Sequence, residues 1–145
     1  MNARQAIMSI TMLAALAAPL GLAIAQTPAR DKPHKVIFQV SDANPAKWNL
    51  ALNNAKNVQK DLGKDNVAIE IVAYGPGIGM LKMESVTGTR IAEAIGTGVE
   101  VVACENTMRS KKLSRDDMLP KIGYVGAGVV ELMERQKEGY IYIRP

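Results

Sequence analysis

From residue 35 onward the chain repeats one alternation. A short β-branched, apolar run is followed by a turn, and then by a segment whose apolar residues recur at helical spacing. Residues 35–40 (KVIFQV), 67–73 (VAIEIVA), 99–104 (VEVVAC), 122–125 and 140–143 read as strands. In 67–73 the alternate positions Val67, Ile69, Ile71 and Ala73 share one face and Val72 takes the other. Between the strands, Trp48, Leu52, Ala55, Val58 and Leu62 form one helical stripe, and residues 86–95 turn Ile91, Ala94 and Ile95 inward with Arg90 and Glu93 outward. Residues 106–112, a short stretch after Ser114, and a segment through Val129, Leu132 and Met133 to Lys137 complete the helices. Parallel strands need crossovers, and crossover helices cover both faces of the sheet they connect. The expected fold class is therefore α/β: a three-layer α/β/α sandwich around a mostly parallel sheet of about five strands. Periodicity leaves the strand order open.

The turn chemistry agrees with this parsing. Ser41, Asp42 and Asn44 are candidate caps ahead of Pro45, which suits a first helical turn. Gly63, the run Gly96-Thr97-Gly98 and Gly139 are stop signals. The second strand leads into Tyr74-Gly75-Pro76-Gly77-Ile78-Gly79, a glycine loop, with a short helical turn expected over 80–83. Asp116 and Asp117 follow Ser114 as an acidic first turn, and Gly126-Ala127-Gly128 opens the last helix.

The first 25 residues have a different character. A short basic start, an apolar stretch and the closing Ala23-Ile24-Ala25 match a cleaved secretory signal. Pro19 and Gly21 weaken the rival reading of a retained anchor, so no stable membrane span is expected after cleavage. The expected location is periplasmic. Cleavage after Ala25 leaves 120 of the 145 residues, which suits one domain with one core. Residues 26–34, polar with two prolines, read as a linker and 35–145 as the domain. Losing Arg4 lowers the formal charge from +4 to +3, and the remaining basic residues are scattered. With aromatics at 4% of the chain, neither a basic patch nor a stacking platform is present, so no nucleic-acid partner is expected.

Ligands of open α/β sheets gather beyond the carboxyl ends of the strands. Three segments arrive there: Ser41-Asp42, the loop at 75–79, and Cys104-Glu105-Asn106. Cys104 is the only cysteine, so no disulfide can form within the chain. A thiol opening a helix meets oriented N–H groups that favour its thiolate, and Arg109 would add positive charge whereas Glu105 would oppose it. A small buried thiol that only packs is the competing reading. The loop lacks the spacing of a dinucleotide fingerprint and the Lys-Ser/Thr pair of a P-loop. Its plainer reading is a tight turn that brings backbone amides close to something small. His34, the sole histidine, lies in the linker, so neither a metal centre nor a histidine-activated nucleophile is expected, and no cofactor is expected. Asp116-Asp117 read as helix-start acids, and the eight methionines as core packing.

The Trp-containing helix with NNAKNV, the strand end VVAYGPGI, the segment GVEVVACENTM and the closing AGVVELMERQKEGYIYIRP together resemble the DsrE/DsrF-like family of sulfur-handling proteins, in its small single-domain branch. The resemblance runs from Lys35 to Pro145. It implies a parallel α/β/α sandwich, assembly into homo- or hetero-oligomers such as trimers and hexamers, and a cysteine after a central strand that carries sulfur as a persulfide. Cys104 matches that position. The leader and the ENTMRS that follows the cysteine set this chain apart from the relay members. The leading expectation is a sulfur carrier or transferase acting through Cys104. Gly75, Gly77 and Gly79, with Asn106 and Thr107, are the candidate anion or sulfur contacts, and a donor or acceptor protein is the expected partner beside a homo-oligomer. The alternatives are a non-catalytic oligomeric assembly module in which Cys104 is structural, and a small-ligand receptor using the strand-end cleft.

Overall fold

The computed structural model describes residues 32–145. The expected signal peptide and the linker up to residue 31 lie outside the described residues. Strands β1 (His34–Val40), β2 (Val67–Ala73), β3 (Glu100–Cys104), β4 (Gly123–Val125) and β5 (Ile141–Ile143) form one sheet in the order β4-β3-β2-β1-β5. Each neighbouring pair is parallel. The helices are α1 (Pro45–Leu62), α2 (Gly88–Gly96), α3 (Glu105–Ser110) and α4 (Gly128–Lys137), with 3₁₀ turns at Gly75–Leu81 and Arg115–Asp117. The four strands β1 to β4 are laid down in sequence, each beside the last. α4 then carries the chain back so that β5 adds on the far side of β1.

Strand parity decides which side chains meet which layer. Val36, Phe38 and Val40 of β1, Ile69 and Ile71 of β2, and Val101 and Ala103 of β3 point into the main core. There they meet Trp48, Leu52 and Ala55 of α1, Ile91 of α2 and Met108 of α3. The intervening positions Ile37, Val72 and Val102 face the opposite layer, where Leu132 of α4 covers them. Burying each such large aliphatic side chain contributes about 1.5–3 kcal/mol, so the two-sided burial of the central strands supplies much of the drive to fold. That burial also explains why β2 reads as a nearly unbroken apolar run.

Most element boundaries follow the expected punctuation. Asn44 caps α1, its Oδ1 accepting from the Ala46 N–H at 2.9 Å, and Pro45 occupies the first turn. Gly63 ends the helix at φ 85°, a left-handed conformation that glycine adopts without strain. Several boundaries differ, among them these three. His34 is the first residue of β1, its N–H donating to the Asn66 carbonyl at 3.1 Å. The second helix starts at Gly88 behind the buried Thr87, leaving Val86 exposed. The turn expected over 80–83 is instead a 3₁₀ turn covering the glycine loop itself. Pro76 fixes one φ there, and Gly77 packs so closely that a Cβ would lie 2.2 Å from the Val40 carbonyl oxygen. No described helix is long and apolar enough to cross a membrane.

Candidate functional site

Cys104 ends β3 on the face that α4 covers, because Val102 two residues earlier points into that layer. It is also the N-cap of α3. The Thr107 N–H donates to Cys104 Sγ at 3.5 Å, and the Gly128 N–H at the start of α4 also reaches the sulfur. The same thiol therefore serves the first turns of two helices. Ala127, the N-cap residue of α4, offers no side-chain cap of its own. Thr107 contributes its hydroxyl as well. Its Oγ1 accepts from the Gly75 N–H at 2.9 Å, which leaves the hydroxyl proton free to point at the sulfur. Burial pushes the thiol pKa up, but the donors from Thr107 and Gly128 outweigh it and bring it below the ordinary thiol value. The Asn106 amide also lies near the sulfur, but its hydrogen is committed to the Gly126 carbonyl at 3.1 Å.

The structure sorts the sequence-predicted residues into two groups. Cys104, Thr107 and Gly75 form one connected unit, with Gly75 at φ 53° aiming its N–H at Thr107 rather than at the sulfur. Gly77 and Gly79 face the core: Gly77 lies against β1, and a Cβ on Gly79 would meet the Trp48 ring at 3.2 Å. The Asn106 side chain accepts from Arg109, so Arg109 is directed there. Glu105 pairs with Arg115 at 3.0 Å. Cys104 is only 4% exposed, so a reagent would reach its thiol only if the surrounding groups parted. Gly128 and Tyr74 meet beside it, and a Cβ on Gly128 would sit 3.0 Å from the Tyr74 side chain.

Four polar side chains at this edge of the sheet escaped the sequence reading. Tyr74 follows β2 on the Cys104 side of the sheet, and its hydroxyl pKa is raised by burial first, then by Tyr142; Arg144 opposes the shift and Cys104 adds to it. Tyr142 on β5 donates its hydroxyl to Gln39 Oε1 at 2.6 Å, and the Gln39 amide donates to Ser41 Oγ at 3.0 Å. Arg144 reaches the Asp42 carboxylate at 3.5 Å. These residues come from three separate stretches, and the strand order brings them to one edge.

The other end of α4 holds a second polar cluster. Glu70, fully buried on β2, contacts Arg135 Nε at 2.6 Å, though neither carboxylate oxygen has a well-aligned hydrogen bond. Arg135 also meets Glu131 at 2.8 Å, Glu138 at 3.1 Å and Glu100 at 3.2 Å. Burial pushes the Glu70 pKa up to about 7; Arg135 opposes the shift, while Glu131 and Glu100 add to it. Burial also disfavours the Arg135 cation, but Glu70 and the groups around it more than offset that. The two tendencies compete, because each partner favours the charge of the other. Arg135 has three further carboxylates to pair with, so burial prevails at Glu70 and its pKa stays raised.

Among the described residues no group of His, Cys, Asp or Glu is arranged to hold a metal ion. A cleft of about 230 Å³ between α1 and α2, lined by Leu52, Lys56, Arg90 and Glu93, lies on the opposite side of the sheet from the thiol. Another of about 390 Å³ borders Pro76, Gly79, Lys82 and Lys111.

The model of the DsrE/DsrF-like family matches residues 34–145. Among solved structures, a protein of unknown function from Methanobacterium thermoautotrophicum is 35% identical over 77% of this chain and 99% of its own, with a TM-score of 0.74. A conserved protein of unknown function from Bacteroides thetaiotaomicron is 17% identical over 77% of this chain and 94% of its own, with a TM-score of 0.62, a likeness of fold. No functionally curated protein matches the chain.

Proposed function

The chain belongs to the DsrE/DsrF-like family, a sulfur-relay type of family, and from that premise we propose that it takes up reduced sulfur on Cys104 as a persulfide and passes it on. The observation that carries the reading is the placement of Cys104 Sγ at the sheet's carboxyl edge, where N–H groups of two helix starts and the Thr107 hydroxyl favour its anion. The thiolate attacks the outer sulfur of a persulfide donor R–S–SH. A bond from Sγ to that sulfur forms, the donor's S–S bond breaks, and its electron pair leaves with the thiolate RS⁻. The proton stays on the transferred sulfur. Delivery is the same exchange with an acceptor thiolate attacking the terminal sulfur of Cys104, so no external oxidant or reductant is consumed.

The leader-like first 25 residues support export to the periplasm, and exposed apolar side chains on α4 (Val129, Val130, Met133) and β5 (Ile141, Ile143) support a homo-oligomer or a docked donor or acceptor protein. Treating the purified protein with a low-molecular-weight persulfide is expected to add one sulfur atom at Cys104, located by peptide mass spectrometry. No adduct, together with a native thiol inert to alkylation, would sink the reading. The deep burial of Cys104 favours one rival, a non-catalytic assembly module in which the thiol only packs.

A further inference from the structure

What lies over Cys104 is the first turn of α4. Gly128 packs against Tyr74 there, and its N–H reaches the sulfur. The two halves of α4 are held very differently. At its last turn Arg135 clasps Glu70 of β2 at 2.6 Å and Glu100 of β3 at 3.2 Å, and its guanidinium lies over the Tyr140 ring. Ahead of Arg135, among the described residues, no ion pair joins residues 128–134 to the sheet: Glu131 and Glu134 pair within the helix. That half rests on Leu132, its one large buried side chain, seated on Ile37, Val72 and Val102. Val129, Val130 and Met133 are exposed. α1, across the sheet, instead buries Trp48, Ala51, Leu52 and Ala55. The entry to α4 is also lightly tied. Ala127 supplies no side-chain cap. The Gly126 carbonyl accepts from the Asn106 N–H at 3.1 Å, which pins that residue to the start of α3, and a Cβ on Gly126 would meet nothing within 4 Å. A segment with few buried contacts opens at a lower free energy than the whole domain.

We infer that the N-terminal half of α4 is a gate over Cys104: it lifts between Gly126 and Leu132, hinges on the Arg135 clasp, and bares the thiol while the sheet stays folded. The inference rests on the reading of Cys104 as a reacting group and names the part of the fold that admits its donor and acceptor. Lifting gives up the seat of one leucine and the contact of Gly128 with Tyr74. The main core, where Ile91 and Met108 meet the other face of the sheet, is untouched.

The test uses the full chain and iodoacetamide at one fixed pH, with the rate of Cys104 alkylation read by mass spectrometry and global stability by urea denaturation. Leu132→Ala is expected to speed alkylation about thirtyfold, the lower range for removing a buried leucine side chain. Gly128→Ala, whose Cβ would press 3.0 Å from Tyr74, is expected to speed it about fivefold, and keeps the test open if the leucine variant folds poorly. Ile91→Val lowers global stability and is expected to leave the rate unchanged, because that core stays packed while the gate is open. In the native protein, low urea should raise the rate far less steeply than it favours global unfolding. Equal rates in the native protein, Leu132→Ala and Gly128→Ala overturn the gate and leave the reading of Cys104 as an acceptor standing. A native rate that follows global unfolding in urea, and that Ile91→Val raises in proportion to the stability lost, overturns both, since the thiol is then inert in the fold.

Discussion

Replacing Glu70 by glutamine isolates the contest between burial and ion pairing at the far end of α4. Glu70 is fully buried and faces Arg135, which three other carboxylates also contact. With its pKa raised from 4.5 to about 7, the fold prefers the protonated form. The stabilisation this supplies is complete below pH 4.5, fades as pH rises toward 7, and is gone above it. That interval, at 1.36 kcal/mol per pH unit, amounts to about 3 kcal/mol. The glutamine variant keeps the shape of the protonated acid and does not titrate. Urea denaturation of both proteins from pH 4.5 to 8.5 should therefore show the native protein losing about 3 kcal/mol relative to Glu70→Gln as pH rises. The reasoning is refuted if the difference is flat. It is refuted more decisively if the native protein gains on the variant with rising pH, the sign expected of a carboxylate kept ionised by Arg135.

Thr107→Val removes the hydroxyl that joins Gly75 to the thiol, and should slow Cys104 alkylation at pH 7 about tenfold, the worth of one hydrogen bond to an anion. Thr107→Ser should restore the rate, and identical pH–rate profiles in all three proteins would count against the hydroxyl's role. Gly77→Ala should cost about 3 kcal/mol of stability, because its Cβ meets the Val40 carbonyl, whereas Gly75→Ala, with open space around it, should cost about 1 kcal/mol from backbone strain alone. Equal costs in urea melts would show that close packing does not distinguish the two positions. Asn44→Ala should lower stability by about 1 kcal/mol through loss of the α1 cap, and an unchanged midpoint would show that the cap is dispensable.

The strands β1 to β3 were legible because burial on both faces leaves a dense apolar signature, and the caps because Asn44-Pro45 and Gly63 are local in their effect. Cys104 was legible for the same reason: it ends such a run and opens a helix. Glu70 was missed although a carboxylate in VAIEIVA is itself a signal. Its partner Arg135 lies far along the chain, and nothing local announces the pairing. Tyr74, Gln39, Tyr142 and Arg144 were missed for a related reason. They become neighbours only once β5 is placed next to β1, and the strand order is a long-range outcome that periodicity does not encode. The glycine loop shows the reverse error. Its three glycines suggested a cradle of amides, yet Gly75 alone serves the thiol through Thr107, while Gly77 and Gly79 give close packing to β1 and Trp48.

A sulfur atom that closes the start of two helices complicates the reading of any loss-of-function phenotype. Deleting it in Cys104→Ala strips donors at Thr107 and Gly128 of their acceptor, so a strain carrying that allele would lose protein as well as chemistry. Cys104→Ser keeps an acceptor there and cannot form a persulfide. Complementation by the serine allele, but not by alanine, would mark the residue as architecture. Failure of both at equal protein abundance would mark it as the reacting group.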